Sequence, residues 1–441
     1  MIIQFKVANY RSIGAEQTLS FVAESTRRHP DNLISRPGYK LLKTTALLGA
    51  NASGKSNLVK AIQVMQEFVR DSATRMNEGD LISAAEPFRL DPELRIAPSR
   101  FEITFVTDSI VYVYGFAVRR KRVDSEWLTA KRETAGTKLF EFRREFNPVS
   151  EKYDWNFGGF KESDETQIKD RTLGNMLAFS VGTQQKVEVL RPAYSYLRER
   201  VWTFDMSSEI DKLGLQTAQI CQDSEEMRLA LSSLLCSADT GIESIHAEKA
   251  AADVPNAKLA APNTLQQLVN EVAKDVARLF GLASTSHIIA SRRDHDGNKV
   301  DFDFKADESQ GTQRFFAVAG PILNALKNGS FVAIDELDAS MHPLLTRRLL
   351  ELFQSAEANS SGAQLLFTTH DSSLLDQDLF RRDQIWLAEK CDGASTFFSL
   401  ADIKPPIRNT ESFLRNYLTG RYGGTPHLGQ AFDDLIAGVK A

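Results

Sequence analysis

Gly49-Ala50-Asn51-Ala52-Ser53-Gly54-Lys55-Ser56 sets glycine, lysine and serine at the spacing that wraps backbone N–H groups around a phosphate chain. In that pattern the lysine reaches the β- and γ-phosphates and the serine hydroxyl ligates Mg2+. Lys55 and Ser56 are the candidates for those roles, with Gly49, Asn51, Ser53, Gly54 and Asn57 forming the rest of the cradle. An acidic pair, Asp335-Glu336, ends the apolar run Phe331-Val332-Ala333-Ile334. Nucleotide hydrolases use such a pair in two ways: the first acid holds Mg2+ through water and the second polarises the attacking water. His370 ends another apolar run, Gln364 to Thr369, one strand beyond the acids, where it could contact a γ-phosphate. Upstream, Glu308-Ser309-Gln310-Gly311-Thr312 precedes a helix whose apolar face begins at Phe315, and the N–H groups of such a helix start form a second anion site. One chain hardly needs two γ-phosphate sites. The economical arrangement is two chains head to tail, each offering its Ser309 turn to the nucleotide held by the other's Lys55.

These residues need a scaffold, and the hydrophobic pattern outlines one. Thr44-Thr45-Ala46-Leu47-Leu48 reads as a buried strand, and residues 54–70 as a helix with Leu58, Ile62 and Met65 on one face. From Pro87 to Arg144, β-branched and aromatic residues alternate between turn residues, which predicts an antiparallel meander. The basic run Arg119 to Arg122 falls at a hairpin tip and reads as a solvated turn. Residues 145–175 are polar and weakly patterned. From Val187 the chain is mainly helical, broken by short strands near 201–205 and 241–247, and Leu265, Leu268, Val272, Val276 and Leu279 make a helical stripe. Residues 286–304 predict a hairpin turning at Asp296-Gly297-Asn298. The expected segments are a first ATPase lobe over 1–185, a helical insert over 186–285 and a second lobe over 286–441.

Composition narrows the class. The 441 residues are 42% hydrophobic and 25% charged, ordinary for a globular protein, with a net charge of −5 that argues against a protein coated in nucleic acid. The three cysteines, Cys221, Cys236 and Cys391, are far apart and suggest neither a disulfide framework nor zinc, so a cytoplasmic location is expected. No run of about 18 apolar residues occurs, so no membrane span is expected. Asp301-Phe302-Asp303 has the spacing of a metal pair, but its place in an alternating strand favours a structural role.

Taken together, the motifs resemble ABC-type ATPases of the SMC/RecF/OLD group, and most of all the stand-alone AAA-labelled ATPases of bacterial phage-defence and abortive-infection operons, such as the RloA and AbiL ATPases. The residues carrying the resemblance are Asn9-Tyr10-Arg11-Ser12, Gly49 to Asn57, Tyr114-Gly115-Phe116, Ser125-Glu126-Trp127-Leu128, Glu308 to Thr312, Ile334-Asp335-Glu336, Asp338 to Pro343, Thr368-Thr369-His370 and the tail Tyr417 to Pro426. The resemblance implies an α/β fold: an ABC-type P-loop ATPase head with an antiparallel β meander and an inserted, mostly helical domain. It implies ATP and Mg2+ as ligands and a homodimer or higher homo-oligomer closing over composite sites. Ser309 and Gly311 then stand for the signature, although Ser309 to Gln313 departs from the usual order of that motif. Asp338 becomes the D-loop acid, His370 the switch histidine, and Arg11 a basic residue near the phosphates or base. The Q-loop candidate is Gln184 or Gln185, where Ala178 to Gln185 is read as the end of a strand; plain surface glutamines are the alternative. The stretch after His370 is too short for the metal-dependent nuclease domain of OLD proteins. A separate effector nuclease or toxin is therefore the expected partner, in a sensor role for anti-phage defence. The alternatives are a RecF- or SMC-like ATPase that binds nucleic acid in DNA repair, and a scaffold that binds ATP and hardly hydrolyses it.

Overall fold

The computed structural model describes residues 1–26, 28–238, 240–249, 286–407 and 411–425. The Leu265–Leu279 stripe and Pro426 lie outside the described residues. Two compact units emerge, Met1–Ser207 with Ala325–Ala339 and Thr346–Ala441, and Ser208–Asn324 with Ser340–Leu345.

In the first unit the predicted meander forms. β1 (Ile2–Ala8) and β2 (Gln17–Ser20) join β6 (Ser99–Thr107), β7 (Ile110–Arg119), β8 (Arg122–Arg132), β9 (Lys138–Asn147) and β10 (Lys152–Gly158) in one sheet, ordered β10-β9-β8-β7-β6-β1-β2. Arg119 and Arg122 flank the β7–β8 turn as expected, and both pair with Asp124. The weakly patterned stretch after 145 proves ordered, as β10 and helix α2 (Glu162–Arg171). Its polarity is that of a half-exposed edge strand and a surface helix, which carry little periodic signal. A two-stranded ribbon, β3 (Leu33–Arg36) with β4 (Tyr39–Leu42), precedes the phosphate loop.

Gly115 is a packing device in this sheet. It faces Trp127 across the β7–β8 ladder, and a Cβ there would fall 2.4 Å from the indole ring. The absent side chain lets the indole lie flat, donating Nε1–H to Glu102 with Arg100 stacked on its face.

The second sheet of this unit is mainly parallel. Its order is β11 (Val201–Asp205), β15 (Phe331–Asp335), β16 (Gln364–Thr368), β5 (Thr44–Gly49), β17 (Ile385–Cys391) and β18 (Ala394–Ser399). β5, β15 and β16 are buried along their whole length, so they read as continuous apolar runs without alternation. Helix α1 (Lys55–Arg75) packs against both sheets through Leu58, Ile62, Met65 and Phe68, and Phe68 meets Phe116 of β7 edge to face.

Ala178–Gln184, read as the end of a strand, is instead helix α3, leading to α4 (Arg191–Glu199). The cause lies elsewhere in the chain. The fully buried Glu126 carboxylate accepts the N–H groups of Ala178 and Phe179 at 2.7 and 3.0 Å and so caps the start of the helix. The same carboxylate accepts the Tyr114 hydroxyl and the Arg144 Nε–H at 3.0 and 2.9 Å. Arg144, also fully buried, donates to the Met176 carbonyl and lies over the Tyr153 and Trp155 rings.

The second unit contains α5 (Ile210–Asp223), α6 (Glu225–Cys236) and the sheet β12 (Ser244–Lys249), β13 (Ser286–Arg293) and β14 (Lys299–Asp303). The hairpin turns where expected, with Asp294 accepting the N–H groups of Asp296 and Asn298. This unit is not the expected 186–285 insert. It begins at Ser208 and takes in the hairpin and the start of the helix Gln310–Asn328. The reason is pairing: β13 ladders onto β12, and Gly320 admits Thr217 of α5, whose hydroxyl donates to the Ala317 carbonyl at 2.9 Å.

Candidate functional site

Parallel pairing of β15, β16 and β5 sets their carboxyl ends side by side, with Ile334 opposite Phe367 and Thr368 opposite Leu47. Everything that leaves those ends therefore gathers at one edge, where open α/β sheets hold ligands. From β5 comes the glycine loop, from β15 the acids and from β16 the histidine.

The loop between β5 and α1 needs backbone shapes that only small residues adopt easily. Gly49 has φ +154° and Gly54 φ +108°, and Ala52 is left-handed at +61°. A Cβ on Gly54 would fall 2.1 Å from Ser395 Oγ and 3.0 Å from Ser12 Oγ. Ser12 ties the loop down: its hydroxyl accepts from Asn57 Nδ2 at 2.7 Å and shares a hydrogen bond with Ser395 Oγ at 2.7 Å. Asn57, expected as part of the cradle, thus works through the Asn9-Tyr10-Arg11-Ser12 turn. Replacing Gly54 by Ala combines that overlap with a φ that alone costs roughly 1–2 kcal/mol for an L residue. It is expected to lower the melting temperature and to abolish nucleotide binding, checked by thermal melts and a fluorescent-nucleotide titration.

Lys55 is buried, and its Nζ donates to the Gly49 and Ala50 carbonyls at 2.8 and 3.0 Å. Burial lowers its pKa, and the carboxylates of Asp335, Glu336 and Asp338 pull the other way. That opposition is the one expected of a lysine and acids brought to the same sheet edge by the pairing of β5, β16 and β15. Ser53 is buried, and its hydroxyl has no hydrogen-bond partner among the described residues. A buried hydroxyl without a partner is costly, so a Ser53 donor in the cradle fits an anion's acceptor oxygens. Asn51 is exposed and Ser56 half-buried at the first turn of α1.

Asp335 is buried at the end of β15, and its Oδ1 accepts the Thr368 hydroxyl at 2.6 Å. Glu336 follows with φ +56°, a left-handed conformation seldom held by a residue of its size. Asp338 accepts the His370 N–H at 3.3 Å through one carboxylate oxygen, and the other is buried without a partner among the described residues. His370 itself is exposed.

The donor set fits ATP with Mg2+. Gly49 and Gly54 let the loop pack against Ala388 and Ser395, where a Cβ would collide, and among the described residues the buried Ser53 hydroxyl has no partner. Mg2+ keeps several waters and takes one or two carboxylates plus phosphate oxygens. Among the described residues no group of three or more His, Cys, Asp or Glu side chains could form a self-contained metal site. Asp301 bonds Ser291 and Asp303 caps the next helical turn, so both are engaged structurally.

Not every candidate joins this edge. The Arg11 guanidinium is held by both oxygens of Glu86 at 2.9 and 3.0 Å, and it is Ser12 that touches the loop. Helix α3 packs on the far part of α1, with Ser180 Oγ donating to the Val69 carbonyl, roughly 20 Å along the axis from Lys55. Gln184 is exposed at the end of α3 and stands outside the group assembled around the loop. In the second unit, Ser309 accepts the Thr312 N–H at 3.2 Å and caps the helix Gln310–Asn328. Gly311 lies against the Ser340 carbonyl, where a Cβ would approach to 3.1 Å. The neighbouring Glu308 is buried and ion-paired with Arg292 at 2.7 Å. Sequence reasoning missed Ser12 as a loop clamp and Thr368 as a partner of the acids. Both lay inside motifs already singled out, but a hydroxyl announces no spacing rule of its own.

A family model described as "AAA domain, putative AbiEii toxin, Type IV TA system" matches residues 44–170 and 238–376. Among curated proteins no match was found. Solved structures are also similar, the following three over 90% of the chain. They are an SMC head bound to the C-winged helix domain of ScpA (14% identical, 97% of that chain covered, TM-score 0.44), the SMC head domain from Thermotoga maritima (12%, 98%, 0.41) and RecF with ATP in the RecFOR pathway (13%, 99%, 0.31). Among the described residues no helix is long and apolar enough to cross a membrane.

Proposed function

The chain belongs to this AAA-domain family, and from that premise we propose that it is an ABC-type ATPase whose nucleotide state controls a separate effector nuclease or toxin in anti-phage defence. The observation that carries the ATPase reading is the shared edge: glycine loop, buried lysine and acids meet at the carboxyl ends of β5, β15 and β16. Lys55 and the loop N–H groups would hold the phosphates. Ser56 and Asp335 would hold Mg2+, which supplies charge neutralisation on the β- and γ-phosphates. Glu336 would orient the attacking water and take its proton, and His370 would contact the γ-phosphate. The exposed, capped Ser309 turn supports a composite site between two copies of the chain, with Asp338 at the subunit contact.

Lys55→Ala is the direct test of the site. Removing one charge-assisted contact costs about 1.5–3 kcal/mol, so ATP should bind roughly 10–150-fold more weakly in a titration. Unchanged affinity would refute the phosphate-loop assignment. The defence role rests on the resemblance of the motifs to phage-defence ATPases and is tested separately. Phage protection that needs this gene together with an adjacent effector gene, and co-purification of the two proteins, would support it. DNA-stimulated turnover with a steep salt dependence would replace it with a DNA-binding ATPase.

A further inference from the structure

We infer that Thr368 is a positioning residue for hydrolysis, a single hydroxyl that sets both acids at the end of β15. The inference rests on the ATPase reading above. Thr368 is the last residue of β16 and is fully buried. Its Oγ1 accepts the Glu336 N–H at 2.8 Å and donates to Asp335 Oδ1 at 2.6 Å. The direction of both bonds is forced. A backbone N–H can only donate and an ionised carboxylate can only accept, so the one hydroxyl proton points at Asp335. The Thr368 carbonyl also accepts the Leu337 N–H at 3.1 Å. One residue therefore holds three consecutive positions: the Asp335 side chain, the Glu336 backbone and the Leu337 backbone.

That grip explains an otherwise unfavourable shape. Glu336 sits at φ +56°, where an L residue persists only if its surroundings over-determine it. Without the Thr368 hydroxyl the Glu336 N–H loses its acceptor at a half-buried position, and the backbone can relax toward the ordinary β region. The Glu336 carboxylate would then swing off the line along which a water must be activated. The neighbouring Thr369 has a different task, since its Oγ1 accepts the Asp371 N–H beyond His370.

The test compares Thr368→Val, which keeps the shape and removes the hydroxyl, with Thr368→Ser, which keeps the hydroxyl. Amide hydrogen exchange at Glu336 is read without nucleotide, and kcat and KM for ATP are read on the same preparations. The expected result for Thr368→Val is exchange at Glu336 accelerated at least about 10-fold, kcat lowered roughly 10–100-fold and KM within about 3-fold of wild type. Thr368→Ser should restore both protection and turnover to within about 3-fold. Should Thr368→Val fail to fold, Thr368→Ala gives the same comparison, with the same losses expected. Unaltered exchange at Glu336, unaltered kcat, or equal losses in the Ser and Val variants would overturn the inference. A folded wild-type protein that turns over no ATP would overturn the ATPase reading itself. In that case Glu336 exchange still shows whether the hydroxyl holds the backbone, which keeps the two failures apart.

Discussion

Glu336→Gln is expected to slow ATP hydrolysis by about 10²–10⁴-fold while leaving ATP binding within a few-fold of wild type. The substitution keeps the size of the side chain and its hydrogen-bonding reach but removes the charge that draws a proton from water. At 1.36 kcal/mol per factor of ten, the loss corresponds to roughly 3–5 kcal/mol of barrier. Binding should survive because the phosphate contacts assigned to Lys55, Ser56 and the loop N–H groups are untouched. The backbone at Glu336 should also persist, since the bond from its N–H to Thr368 does not involve the side chain. If ATP closes two copies over composite sites, the variant should accumulate as a nucleotide-bound dimer, visible by light scattering in the presence of ATP and Mg2+. Wild-type turnover in this variant would remove Glu336 from the mechanism.

Glu126→Ala should destabilise the first unit by about 3–5 kcal/mol, the usual cost of stripping one partner from a buried ion pair. The Arg144 guanidinium would be left with only the Met176 carbonyl and ring faces, and two N–H groups at the start of α3 would lose their acceptor. A melting temperature lowered by several degrees, on the order of 5–10 °C, is the expected readout. The double variant Glu126→Leu with Arg144→Met removes both charges and should recover part of the loss. A melt within about 1 °C of wild type for Glu126→Ala would show that Glu126 is not the keystone its four hydrogen bonds suggest.

Glu126 also marks where the sequence ceases to be legible. The strands at 44–49, 331–335 and 364–368 announced themselves as short apolar runs, and the glycine loop by its spacing, because those signals are local. So were the alternation of the meander and the Asp294–Asn298 hairpin turn. Ala178 to Gln184 offered no such signal: seven residues can read as strand or helix, and the deciding contact comes from a carboxylate some fifty positions upstream. The partner of Arg11 was equally hidden, since nothing near Arg11 in the chain points to Glu86. The division at Ser208 escaped because β12 and β13, far apart in the sequence, pair with each other and draw the hairpin into the second unit. Pairing partners chosen over long separations leave no mark on composition.

The same long separations fix when the nucleotide site can exist. β5 sits between β16 and β17, which follow it by about 320 and 340 residues, as the register pairs Thr44–Leu365 and Ala46–Ile385 require. At about 5–20 residues per second, a ribosome needs roughly 16–70 s to supply those neighbours. Through that interval the six residues of β5, all of them buried in the finished protein, have neither flanking strand to pair with. A nascent chain in that condition is a natural client for chaperones and prone to wrong pairing, so yield in the cell should respond to translation speed across the middle of the message. The phosphate loop is translated early, yet it can take its working shape only after the strands that flank it have left the ribosome.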